Sequence, residues 1–183
     1  MNKLSSDLED SSKLGLVLLG CLLFRLIPFR PPNFEPLLAS GLPFAKRHGP
    51  LVAAVFSSAS IAGLDIAMGK VGLWTLYTAL AYGLIGFAAG SFFSTRPSAG
   101  AFSYAAFSIP ATLLYDAVTM LAFGMQFSVP MPLLVAGQIP FTLMHLAGNF
   151  LLCLALTPAL ERHFLDKRFI HGERLASKNF NLN

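Results

Sequence analysis

Six apolar segments, separated by short breaks rich in Pro, Gly, Ser and basic residues, fill most of this chain. They run over residues 14–29, 34–45, 51–68, 73–93, 99–123 and 131–160, and each break carries a helix-stopping signal: Arg30-Pro31-Pro32, Lys46-Arg47-His48-Gly49-Pro50 and Gly69-Lys70-Val71-Gly72 are the first three. A hydrocarbon core about 30 Å thick takes roughly 20 helical residues, so six passes fit only with loops as short as these. The second segment is shorter than the roughly 17 apolar residues of a straight pass. It also carries Pro36 and Pro43, which predicts a kinked or re-entrant helix. The fold expected is an all-α integral membrane protein, a compact bundle of six transmembrane helices over residues 14–160. A polar stretch, 1–13, precedes it and a charged, basic tail, 161–183, follows. MNKLSSDLEDSSK is not followed by a small-residue cleavage site, so the first segment is expected to stay as a helix.

Composition agrees. With 55% hydrophobic and 12% charged residues the chain holds far more apolar surface than one soluble core of 183 residues can hide. Mean hydropathy is +0.64. A net charge of +4 raises the question of nucleic acid, but the basic residues lie in breaks and ends with no interleaved aromatic patch, so no nucleic-acid partner is expected. Topology accounts for the charge better. With six passes and both termini cytoplasmic, Lys3, Lys13, Lys46, Arg47, Arg96, Arg162, Lys167, Arg168, Arg174 and Lys178 fall inside, against Arg25, Arg30 and Lys70 outside. Were the second segment not to cross, the N-terminus would move outside while the C-terminus stayed in. Cys21 and Cys153 lie in apolar segments without metal-ligand spacing and read as packing residues.

In this topology the polar residues gather at the depth of one membrane face. Asn33 and Glu35 stand at the outer mouth of the second segment and Asp65 near the outer end of the third. Trp74, Thr75, Tyr77, Thr78 and Tyr82 descend the outer half of the fourth. At about 1.5 Å per residue, Tyr115 and Asp116 lie about 10 Å below the outer end of the fifth. Gln138, Thr142, His145 and Asn149 step down the sixth at spacings of four, three and four, hence on one helical face. A carboxylate inside a bilayer is expensive, so Asp116 is expected to face a cavity or a partner. Pairing with His145 or a tyrosine, simply to tie helices together, is the plainer role. Asp65 lies close enough to the interface to be merely solvated, and Trp74 and Tyr77 fit an interfacial aromatic belt as well as a binding surface.

Other chemistries find less support. No H-x-x-x-H or C-x-x-C spacing occurs, so no metal or other cofactor is expected. Ser57, Ser58, Ser60 and Ser91 lack a nucleophile-elbow context that would pair one of them with His145. Ala54, Ser58 and Ala62, with Ala59 and Gly63, instead form small-residue rows at four-residue spacing that let another helix approach closely. There is no phosphate-binding glycine loop, so any ATP-driven transport would draw on a partner. An inverted repeat of the kind secondary transporters carry is not evident between the halves.

Three stretches carry a family resemblance. RLIPFRPPNFEPLLA (Arg25 to Ala39), GLWTLYTALAYGLIG (Gly72 to Gly86) and GQIPFTLMHLAGN (Gly137 to Asn149), in this order within under 200 residues, resemble the substrate-binding S components of energy-coupling factor transporters. The resemblance implies a non-catalytic subunit in a prokaryotic plasma membrane that captures a vitamin or related micronutrient in the outer half of a six-helix bundle. Its partners would be a transmembrane coupling subunit and two ATPases. Substrate contacts would come from Asn33, Glu35, Asp65, Trp74, Tyr77, Asp116, Gln138, Thr142, His145 and Asn149. One departure concerns docking: many members carry Ala-x-x-x-Ala in the first helix, whereas this chain has Gly15 and Gly20, five apart. Docking would then use Ala54, Ser58, Ala59, Ala62 and Gly63. The competing readings are an intramembrane enzyme using His145 and Asp116, and a membrane scaffold whose polar residues only staple helices.

Overall fold

The computed structural model describes residues 3–29 and 33–162, with the side chains of 3–11, 14 and 25 left out. The expected Arg30-Pro31-Pro32 turn, the side chain of Arg25 and the tail beyond Arg162 fall outside the described residues. Five helices follow one another: α1 (Lys3–Arg25), α2 (Leu37–Ala67), α3 (Leu73–Phe93), α4 (Ala101–Phe127) and α5 (Met131–Leu160). Helices α2 to α5 are each long and apolar enough to cross a membrane, whereas the apolar part of α1 is the shorter Gly15–Phe24. The chain is a multi-pass membrane protein built from α-helices. Leu51, Val55, Phe102 and Leu143 point outward, as side chains facing lipid do.

Among the described residues the bundle thus has five helices and not the six expected. The second and third segments run as one element, α2, because Lys46, Arg47 and His48 continue the helix that the sequence suggests they break. Only Gly49 leaves it, at φ 78° and ψ −175°, a conformation essentially reserved for glycine. That single residue reverses the chain. The rings of Phe44 and Phe56 lie 5.9 Å apart, and Leu37 shares a core with Ile61 and Leu64; a straight helix would hold Leu37 and Ile61 about 36 Å apart. Two arms, 37–48 and 50–67, therefore pack side by side. The first, 12 residues long, is about 18 Å, which fits the short second segment.

Other boundaries differ for local reasons. Helix α1 begins at Lys3, well before the expected Leu14, and stops at Arg25 rather than Phe29. Its last turn tightens where Ile27 N–H donates to Phe24 O at 3.2 Å, ahead of Pro28. Helix α4 runs past Phe123 to Phe127 and ends at Ser128 in the left-handed conformation. The fourth and sixth segments coincide with α3 and α5.

Neighbouring elements run antiparallel. Along α3 and α4, Phe93 meets Tyr104 at 4.9 Å, Tyr82 meets Tyr115 at 5.0 Å and Trp74 meets Phe123 at 6.3 Å between ring centroids. Glycines let the second arm of α2 sit close on α3: a Cβ at Gly86 would strike the Ala53 carbonyl, and one at Gly90 would come within 2.6 Å of Pro50 N. Helix α5 returns beside the first arm, where Thr157 Oγ1 donates to Ala39 O at 2.8 Å. Cys21 and Cys153 are thiols outside any disulfide, buried within the packing.

Candidate functional site

The face where α4 meets α5 is a ladder of polar pairs. On α4, Thr112 and Asp116 are one turn apart; on α5, His145 and Asn149 share the same spacing, and antiparallel packing brings the rungs level. Asn149 Nδ2 donates to Thr112 Oγ1 at 2.8 Å. One turn away, His145 Nδ1 lies 2.7 Å from Asp116 Oδ1. The imidazole and the carboxyl group share this hydrogen bond across the α4–α5 seam. Asp116 is only 2% exposed. Its second oxygen, Oδ2, is buried without a hydrogen-bond partner among the described residues.

Aromatic rings flank the imidazole. Tyr115 and Phe141 set their rings near-perpendicular to His145 at 5.7 and 5.9 Å, and Tyr82 of α3 packs on Tyr115. Leu38, from the first arm of α2, lines one small space together with Tyr82, Tyr115, His145 and Asn149. Elements α2, α3, α4 and α5 therefore converge beside His145. The space among them leaves no room for a water molecule. A larger opening, about 320 Å³, lies elsewhere, between α1, the first arm of α2 and α5. Apart from Ser40 and the Cys21 thiol its walls are apolar, so it offers volume without recognition chemistry.

Of the residues marked from sequence, Asp116, His145 and Asn149 come together here. Gln138 and Thr142 lie further along the same stripe and bond to each other, Nε2 donating to Oγ1 at 2.9 Å. Asn33 Nδ2 donates to the Phe141 carbonyl at 3.2 Å, placing it at the rim beside the ring that flanks His145. Glu35 is half-buried in the same turn. Three others serve different places. Asp65 accepts from Thr75 Oγ1 at 2.7 Å and steadies the α2–α3 turn. Trp74 stands edge-on to Phe123. Tyr77 is five residues from Tyr82, about 140° round the helix at 3.6 residues per turn, and so points away from Tyr82's face.

The small-residue face of the second arm divides. Ala54 and Ser58 face α3, with Ser58 Oγ donating to Ala79 O at 2.9 Å, while Ala59 and Gly63 stay exposed and Ala62 is half-buried. Ser60 and Ser91 donate to carbonyls of their own helices, those of Phe56 and Phe87. Among the described residues no three His, Cys, Asp or Glu side chains gather as metal ligands.

Sequence reasoning missed Thr112 and left Tyr82 and Tyr115 as depth markers only. It also missed a second polar centre at the opposite end of the bundle. There Lys46 Nζ meets Glu161 Oε1 at 2.6 Å and donates to Ala99 O at 3.0 Å, and Tyr104 OH donates to Glu161 Oε2 at 2.7 Å. The ammonium also stands over the Tyr104 ring, 5.7 Å from its centre. The one available hint was Glu161, a lone acid directly at the end of an apolar helix. No protein-family model, curated protein or solved structure matches this chain.

Proposed function

We propose that this chain is the substrate-capture subunit of an energy-coupling-factor-type importer in a prokaryotic plasma membrane, binding a vitamin or related micronutrient. The observation that carries the reading is the Asp116–His145 pair: a carboxylate deep among apolar helices, with one oxygen unpartnered among the described residues, bonded to an imidazole that aromatic rings flank. Buried ionisable groups in membrane helices are expensive to keep and mark substrate paths more often than packing. The three family-like stretches add to it, since each supplies a part of this centre or its rim: Asn33 and Leu38, Tyr82, and His145 with Asn149.

The proposal counts the two arms of α2 as separate passes, giving six with both termini cytoplasmic. The polar centre then lies in the outer half and the Lys46–Glu161 pair at the inner end. Binding is the chain's whole task, and ATP hydrolysis belongs to the two partner ATPases. The exposed Ala59 and Gly63 would seat the coupling subunit. A second reading has its own support: the Asn149–Thr112 and His145–Asp116 bonds run directly from α5 to α4, and a scaffold protein would need nothing more of them.

Co-purification tests the importer reading. Tagged full-length chain, isolated from its native membrane in mild detergent, is expected to bring down a membrane coupling subunit with two ATPases, and Ala59→Leu/Gly63→Leu to lose them. A wild-type chain that comes down alone, or a variant that keeps its partners, would contradict the reading or its docking face respectively.

A further inference from the structure

We infer that the cleft between α1, the first arm of α2 and α5 holds one acyl chain of an anionic phospholipid, with the phosphate at the end of the bundle that carries Lys46 and Glu161. The cleft measures about 320 Å³, and Leu16, Gly20 and Phe24 of α1 face Leu156 and Leu160 of α5 across it. Its two polar groups satisfy each other, the Cys21 thiol donating to Ser40 Oγ at 3.7 Å. Such walls suit hydrocarbon and not a polar metabolite. The cleft is separate from the Asp116–His145 pair, and the inference does not depend on what that pair binds.

Size selects a chain over a helix. From Leu16 to Phe24 the cleft runs about 12 Å along α1. A helix about 10 Å across would take roughly 900 Å³ over that length, far more than the cleft offers. An acyl chain is slender enough, and the bilayer around a multi-pass protein supplies it. Leu19 and Leu23 of the same apolar stretch are exposed, as on a helix that faces lipid. Gly20 keeps the cleft open, since a Cβ there would meet nothing within 4 Å.

The two ends of the cleft differ, and the difference sets the direction of the lipid. At one end the rings of Phe24 and Phe34 approach to 6.4 Å between centroids. At the other, Val17, Phe44 and Leu160 pack on one another. Each of these three elements carries a basic residue just beyond: Lys13 one turn before Val17, Arg47 one turn after Phe44, and Arg162 two residues after Leu160. Glu161, the acid beside Arg162, is taken by Lys46 and Tyr104. A lipid phosphate at this mouth meets positive charge, and its chain runs toward the Phe24–Phe34 end.

Native mass spectrometry of the full-length chain in mild detergent tests this with two lipids that share oleoyl chains, phosphatidylglycerol and phosphatidylcholine. One phosphatidylglycerol per chain is expected to stay bound, at a half-saturating concentration at least about fivefold below that of phosphatidylcholine, the worth of one basic residue beside an anionic lipid. Gly20→Leu puts a side chain into the cleft and is expected to remove the bound lipid. Gly15→Leu is the control: its Cβ also meets nothing within 4 Å, but the residue does not line the cleft, and the lipid is expected to stay. Circular dichroism and thermal unfolding check that both variants fold. Lys13→Gln/Arg47→Gln leaves the cleft walls unchanged and is expected to keep one lipid while losing the preference for phosphatidylglycerol. Binding of several lipids without saturation, retention unchanged by Gly20→Leu, equal affinity for the two headgroups, or a lipid-free dimer that seats a second copy in the cleft would each overturn the inference.

Discussion

Lys46 and Glu161, 115 residues apart in sequence, form an ion pair of 2.6 Å, with the lysine side chain 7% exposed and the glutamate 28%. Tyr104 and the Ala99 carbonyl add a hydrogen bond to each partner, so the first arm of α2, the α3–α4 turn, α4 and the end of α5 are joined at one point. Removing one member strands the others. Lys46→Met is expected to destabilise the chain by about 3 kcal/mol, the lower end for a broken buried pair because Glu161 keeps some exposure. Lys46→Met with Glu161→Gln should recover a good part of the loss. Thermal unfolding of the two variants in detergent checks this, and equal loss in both would show that the pair itself contributes little.

The reversal at Gly49 rests on conformation and on close approach. Gly49→Ala forces a side chain into a region that only glycine occupies readily and is expected to destabilise by about 1 to 3 kcal/mol. Gly90→Ala should do at least as much, since its Cβ would lie 2.5 Å from Pro50 Cα. Gly41→Ala is the control. It meets nothing within 4 Å and lies in a helix, where alanine is favoured by about 0.5 to 1 kcal/mol. A denaturation series that ranks Gly41→Ala below Gly49→Ala would contradict the hinge.

The proposed orientation, with both termini cytoplasmic, fixes which turns face outward. Thiols placed at Lys70 and Ser128 are expected to react with a membrane-impermeant maleimide added outside intact cells, and one at Ser98 only after the membrane is opened. The native Cys21 and Cys153 are buried and should stay silent. Labelling of positions 70 and 98 from the same side would remove α3 as a crossing helix.

Much of this architecture is legible in the sequence, unevenly. Helices α3 and α5 have uninterrupted apolar runs between Gly, Pro and Ser breaks, and their bounds coincide with those read from the chain. The Gly49 break is legible too, but not that Lys46 to His48 stay helical up to it, because three consecutive polar residues look like a loop. Asp116 and His145 stand out because charge at that depth demands a partner. Which neighbours complete the centre is not legible: helices in lipid are apolar on their outer as well as their inner faces, so the pattern lacks the phase that would point Tyr82 inward and Tyr77 elsewhere. Lys46 and Glu161 escape for another reason. Each reads as an end-of-helix charge, and only folding brings the two ends together.

The central claim is that the Asp116–His145 centre holds a small molecule rather than merely joining α4 to α5. Mass spectrometry of compounds released by denaturing the purified full-length chain tests it most directly, with Asp116→Ala/His145→Ala as the comparison. The account predicts one metabolite near one equivalent in the wild type and none in the variant. An empty wild type from nutrient-replete cells, together with a variant that has lost thermal stability, would contradict it and leave the pair as a staple between helices.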